Sequence, residues 1–179
     1  MTTNYNIINQ AYAFSREIKQ HDEVIQNNKP FIQNVSRRCI ELGDHLIGKD
    51  NWYSDITKVQ YLRDTVLISI SDPAQQPPDA YYAFKEYLFL NFLDLEENQM
   101  PEAEEFKITY EDAEKIIKFL QDALDNGYNV VVHCTAGVCR SGAVAEVGTI
   151  MGFRETGAYR QPNLMVKRYL MKVLGWDYD

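Results

Sequence analysis

Asn129-Val130-Val131-Val132-His133-Cys134-Thr135-Ala136-Gly137-Val138-Cys139-Arg140-Ser141-Gly142 reads as a strand, a tight loop and the first turn of a helix. The three valines are β-branched and apolar, which suits a strand buried on both faces. Similar units lie upstream. Phe31–Val35 reads as a strand, and Ser36 is placed to cap a helix opening at Arg37-Arg38-Cys39-Ile40-Glu41-Leu42. Thr65–Ile70 reads as another strand, ending at the proline-rich loop Ser71-Asp72-Pro73-Ala74-Gln75-Gln76-Pro77-Pro78-Asp79. Tyr87–Leu93 reads as a buried strand. Thr109-Tyr110-Glu111-Asp112 resembles a capping box with Asp in the acidic position. The helix it opens carries Ala113, Ile116, Ile117, Leu120 and Leu124 on one face, and Asn126-Gly127 stops it. Strand, loop and helix in alternation predict an α/β fold, a single domain with a mainly parallel central sheet flanked by helices. Ligands then belong at the carboxyl ends of the strands. Ile7, Ile8, Ala11, Phe14 and Ile18 lie near helical spacing and predict a further helix over residues 6–27.

The composition fits one soluble globular domain: 179 residues, 45% hydrophobic and 25% charged. No run is long enough to cross a membrane, and Met1-Thr2-Thr3-Asn4-Tyr5-Asn6 shows no basic segment leading into an apolar one. The net charge of −8 disfavours nucleic acid and anionic membrane surfaces as partners. Pairs such as Arg37-Arg38 and Lys167-Arg168 read as solvated helix faces. Three cysteines, Cys39, Cys134 and Cys139, are an odd count that argues against a disulfide framework and for a reducing, cytoplasmic setting. His21 and His45 have no metal-like spacing with the cysteines, so no metal or other cofactor is expected.

The spacing within the quoted stretch has a chemical reading. Five residues separate Cys134 from Arg140, enough for a loop whose amides turn inward around an anion. Thr135, Ala136, Gly137, Val138 and Cys139 would supply those amides, with Gly137 giving the sharp turn or close approach. Arg140 would hold two oxygens of a phosphate with its planar fork. The helix after it presents its positive end. The same field favours a thiolate at Cys134. Ser141 is placed to donate to the sulfur, and His133 to orient and support the loop.

His133-Cys134, the five-residue gap, Gly137 at its third position and Arg140-Ser141-Gly142 together resemble the signature of the cysteine-dependent protein tyrosine and dual-specificity phosphatases. The strand and turn Ile68-Ser69-Ile70-Ser71-Asp72-Pro73, with Ser36-Arg37-Arg38, are similar to compact bacterial and viral members. The resemblance covers residues 31–175, with high specificity only over residues 129–142. It implies a dual-specificity phosphatase-like domain over residues 31–179, preceded by an N-terminal helical extension over residues 1–30 that resembles no named family. It further implies hydrolysis of a phosphorylated protein or peptide through a phosphocysteine intermediate on Cys134.

In that family an Asp following an upstream strand protonates the leaving oxygen and later activates water. Asp94 is the first carboxylate after Tyr87–Leu93 and takes that role here. It precedes Cys134 by 40 residues, a longer segment than is typical of dual-specificity enzymes, and Glu96 and Glu97 stand as substitutes. Arg154-Glu155-Thr156-Gly157-Ala158-Tyr159-Arg160-Gln161-Pro162-Asn163 is similar to the family segment whose Pro-Asn pair opens a late helix. There the Asn braces the signature loop, which makes Asn163 a supporting residue; a plain helix cap is the other reading. Uncharged residues at Thr135, Ala136, Val138 and Cys139 favour phosphotyrosine, or mixed phosphoresidues, over phosphoinositides. The alternatives are a catalytically weak phosphate- or phosphopeptide-binding module and a phosphatase for a non-protein phosphomonoester. Cys139 reads as a small hydrophobe, with a reversible disulfide to Cys134, or from Cys134 to Cys39, as the second reading. Trp52, Tyr81 and Tyr82 are candidates for either a substrate surface or the core.

Overall fold

The computed structural model describes residues 29–42, 64–79, 84–96 and 101–176. The helix expected over residues 6–27, and His21, His45, Trp52, Tyr81, Tyr82 and Glu97, lie outside the described residues.

Five strands form one all-parallel sheet among the described residues: β1 (Phe31–Ser36), β2 (Thr65–Ser71), β3 (Tyr87–Asn91), β4 (Asn129–Cys134) and β5 (Arg154–Glu155). Their spatial order is β3-β2-β4-β1-β5. The helices are α1 (Arg37–Leu42), α2 (Tyr110–Asn126), α3 (Arg140–Met151) and α4 (Leu164–Val173), with a short 3-10 segment at Pro101–Phe106. The α/β class with a parallel sheet is as the alternation predicts.

The central strands are buried along their length because helices cover parallel sheets. Every residue of β2 is buried, as is β4 from Val130 onward. Alternation splits the core between the two faces. Ile32, Val66, Ile68, Ile70, Val130, Val132 and Cys134 join the residues of α2, α3 and α4 on one face. Phe31, Val35, Leu67 and Val131 pack with Cys39, Ile40 and Phe84 on the other. α3 approaches the sheet closely through small residues: a Cβ at Gly148 would lie 2.5 Å from Ile32 Cδ1.

β3 departs from expectation. The run Tyr87–Leu93 was expected to be buried throughout, yet the strand ends at Asn91 and lies at the sheet edge. Leu90 is buried toward α2, while Tyr87 and Phe89 are exposed on the opposite face, their rings stacked 4.8 Å apart. Apolar content alone does not distinguish an edge strand whose outer face carries aromatics from a central one.

α2 has the caps its sequence announces. Thr109 Oγ1 accepts from the Asp112 N–H at 3.1 Å, and Asp112 Oδ2 accepts from the Thr109 N–H at 3.0 Å. Gly127 closes the helix at φ 72°, donating to the Ala123 and Leu124 carbonyls. Ser36 Oγ likewise accepts from the Cys39 N–H at 3.2 Å.

Register brings the strand ends together. Ser36 stands opposite Cys134, Ser69 opposite His133 and Ser71 opposite Asn91. The chain leaves β2 toward β3 and leaves β4 in the opposite direction, toward β5. The crevice between two such strands is where open α/β sheets place ligands. Among the described residues no helix is long and apolar enough to cross a membrane.

Candidate active site

The loop from Thr135 to Cys139 joins β4 to α3 across this crevice. Four of its five carbonyls, those of Thr135, Gly137, Val138 and Cys139, are held by the surrounding scaffold. Thr135 O accepts from the Arg37 N–H at 3.2 Å, Val138 O from the Gln161 N–H at 3.1 Å, and Cys139 O from the Asn163 N–H at 3.0 Å. Gly137 O accepts from Asn34 Nδ2 at 2.7 Å. Among the described residues, no hydrogen bond is donated by the backbone N–H groups of Thr135 through Arg140. Carbonyls tied to the scaffold and amides left over are the makings of an anion nest at a helix N-terminus. Gly137 is required twice over: its φ is 77°, and a Cβ there would lie 2.3 Å from the Val35 carbonyl carbon.

Arg140, the first residue of α3, is buried, and a buried guanidinium needs partners. Nη1 donates to Asp72 Oδ1 at 2.8 Å and to the Phe92 carbonyl at 2.7 Å; Nη2 donates to Thr135 Oγ1 at 3.0 Å. Nε has no partner. The guanidinium is thus fixed from one side, with a buried donor to spare for an anion.

Cys134 ends β4 and is 3% exposed. Its Sγ lies 3.1 Å from Ser141 Oγ, inside the first turn of α3, so a hydroxyl proton is within reach of the sulfur. His133 sits beneath, fully buried, its Nδ1 3.2 Å from the Cys134 carbonyl and its Nε2 2.6 Å from Ser69 Oγ. Only a protonated Nδ1 can bond a carbonyl, so Nε2 accepts from the Ser69 hydroxyl.

Burial pushes the His133 pKa down from 6.5 to about 4, aided by the positive charges of Arg37 and Arg140 and opposed by the bond to the Cys134 carbonyl. The ring is therefore neutral at physiological pH. The folded state declines a proton that the unfolded chain accepts near pH 6.5, so stability is full above that value and falls as the pH drops toward 4. The loss amounts to about 3 kcal/mol across the interval. Urea unfolding at pH 7, 6 and 5 should show a shallower decline for His133→Asn than for wild type; equal slopes would remove His133 from the account.

The Asp94–Leu95 segment meets the loop after Cys134 at Asn163. Asn163 Nδ2 donates to Asp94 Oδ1 at 2.7 Å and to the Leu95 carbonyl at 3.0 Å. Its Oδ1 caps α4 by accepting from the Val166 N–H at 3.0 Å, and its backbone N–H bonds Cys139 O. The side chain therefore braces the Asp94–Leu95 segment and caps the helix, while the main chain braces the loop after Cys134. Asp94 is exposed; Glu96 instead turns its Oε1 to the Leu164 N–H at the start of α4, 3.3 Å away.

All three cysteines are free thiols. Cys39 packs on the sheet face opposite Cys134, and burial pushes its pKa up to about 12. Cys139 is the N-cap residue of α3, but its side chain makes no capping bond. Burial, then the negative charge of Asp94, raises its pKa and keeps it a thiol; the residue is half-buried.

Four participants were not identified from sequence: Asn34, Arg37, Ser69 and Asp72. Asp72 carries the same local signal as Asp94, being the first carboxylate after a strand. The others touch the site only through long-range pairing.

No protein-family model matches the chain, and no curated protein matches it. The chemistry of the site rests on its geometry.

Proposed function

We propose that the chain is a phosphoric monoester hydrolase of the cysteine-dependent protein tyrosine and dual-specificity phosphatase type, with a dual-specificity phosphatase-like fold. One observation carries the reading: the Cys134 loop has the carbonyls of Thr135, Gly137, Val138 and Cys139 tied to the scaffold, and beside its unpartnered amides Arg140 keeps a buried, unpartnered Nε. A tetrahedral dianion fits that donor set.

In the first step the Cys134 sulfur attacks phosphorus and the bond from phosphorus to the leaving oxygen breaks. Asp94 gives its proton to that oxygen. In the second step water attacks phosphorus, Asp94 takes the water proton, and the phosphorus–sulfur bond breaks, releasing phosphate. Ser141 donates to the departing sulfur, 3.1 Å away. Arg140 and the loop amides hold the phosphoryl oxygens through both steps. Asp94 is preferred to Glu96 because Asn163 joins it to the signature loop, whereas Glu96 faces the start of α4. The substrate is a phosphorylated protein or peptide, phosphotyrosine first and phosphoserine or phosphothreonine second, in the cytoplasm. No residue in this scheme requires a metal or organic cofactor.

Wild-type protein should hydrolyse p-nitrophenyl phosphate and a phosphotyrosine peptide in reductant with chelator present, and acid quenching should trap phosphate on the peptide containing Cys134. Phosphopeptide binding without turnover would establish a binding module instead. Turnover with phosphate on another residue would overturn the mechanism.

A further inference from the structure

We infer that Arg37 is a positioning residue that holds Arg140 in its phosphate-gripping orientation, acting through the Asp72 loop; the inference rests on the proposed phosphate site. The observation is a closed ring of contacts. The Arg37 N–H donates to the Thr135 carbonyl at 3.2 Å. Thr135 Oγ1 accepts from Arg140 Nη2 at 3.0 Å, and Arg140 Nη1 donates to Asp72 Oδ1 at 2.8 Å. Asp72 follows Ser71, whose Oγ accepts from Arg37 Nη1 at 2.9 Å. Arg37 Nη2 also reaches the Gln76 carbonyl at 2.6 Å, and its Nε pairs with Glu41 at 2.7 Å. One side chain therefore ties the Asp72 loop to α1, while its own backbone ties α1 to the signature loop.

The ring matters because of an asymmetry. The Arg140 side chain is 5% exposed, whereas that of Asp72 is 46% exposed. A half-exposed carboxylate grips a partner weakly unless its backbone is fixed. Here the backbone is fixed from two sides. Asn91 Nδ2 donates to the Asp72 and Gln75 carbonyls, both at 3.0 Å, and Arg37 holds Ser71 and Gln76. A planar fork suits the Arg37 task, since its separate nitrogens serve a hydroxyl, a carbonyl and a carboxylate at once.

The test uses full-length Arg37→Ala, Arg37→Lys, Asp72→Asn and the Arg37→Ala/Asp72→Asn double variant, each with its melting temperature. Readouts are kcat and KM for p-nitrophenyl phosphate and calorimetric affinity for orthovanadate and inorganic phosphate. Arg37→Ala should raise KM and weaken oxyanion affinity by about tenfold, with kcat changed far less, as expected for a displaced ground-state contact. Arg37→Lys should recover part of the affinity. The double variant should be no worse than Asp72→Asn alone, because both lie on one path. Unchanged KM and oxyanion affinity in Arg37→Ala would overturn the inference. So would a loss of kcat alone in proportion to unfolded protein, or losses that add in the double variant. Wild type that binds oxyanion without turnover would refute the enzyme reading and leave the affinity comparison to decide on Arg37. Wild type that neither binds nor turns over would refute both.

Discussion

Cys134→Ser should lower kcat/KM for p-nitrophenyl phosphate by more than about 10⁴-fold, because the nucleophile cannot be replaced by the remaining site groups acting as a unit. The substitution is nearly isosteric, and serine retains a hydroxyl within reach of Ser141. The loop is held in shape through the carbonyls of Thr135, Gly137, Val138 and Cys139, and Arg140 is fixed by Asp72, none of which the substitution touches. Binding of inorganic phosphate or a phosphotyrosine peptide should therefore persist, with the melting temperature close to that of wild type. Calorimetry on the variant separates the two roles of the loop. Residual hydrolysis above about one hundredth of the wild-type rate would mean that another group attacks phosphorus.

The second large effect is Asp94→Asn, which should lower kcat by about 10²- to 10⁴-fold, the usual contribution of a positioned general acid. The loss should depend on the leaving group. p-Nitrophenolate departs readily without a proton, while phenolate does not, so phenyl phosphate should lose more than p-nitrophenyl phosphate. Asparagine preserves an acceptor for the Asn163 amide, whose present bond to Asp94 Oδ1 is 2.7 Å, so the loop should keep its place. Equal losses on both substrates would place Asp94 outside proton transfer. In that case Glu96→Gln becomes the variant to compare.

Much of the fold was legible because its signals are local. The valines of β4, the Thr109/Asp112 capping box and Gly127 each declare themselves within a few residues, and the structure has the elements they announce. Gly137 was legible too, since the tight loop demanded a residue without a side chain. What escaped is non-local. Asn34 meets Gly137 across 103 residues of sequence, and Arg140 meets Asp72 across 68. No periodicity or spacing encodes such meetings; they follow from strand order, which brings β1 and β2 to either side of β4. The β3 reading failed for another reason. Tyr87 and Phe89 satisfy β propensity while stacked on each other at the surface, and propensity carries no information about which face is covered.

The signature loop is bound by donors from Asn34, Arg37, Gln161 and Asn163, drawn from both ends of the described chain. Residues 129–142 cannot acquire this shape alone, however complete their local sequence. The cradle closes only after β1 has docked beside β4 and the segment before α4 has folded back. Chemical competence is thus among the last properties the chain gains as it folds, because loop closure over such separations precedes any reward from the contacts made. A nascent or partly folded chain would lack the arrangement around Cys134 that the proposed mechanism needs.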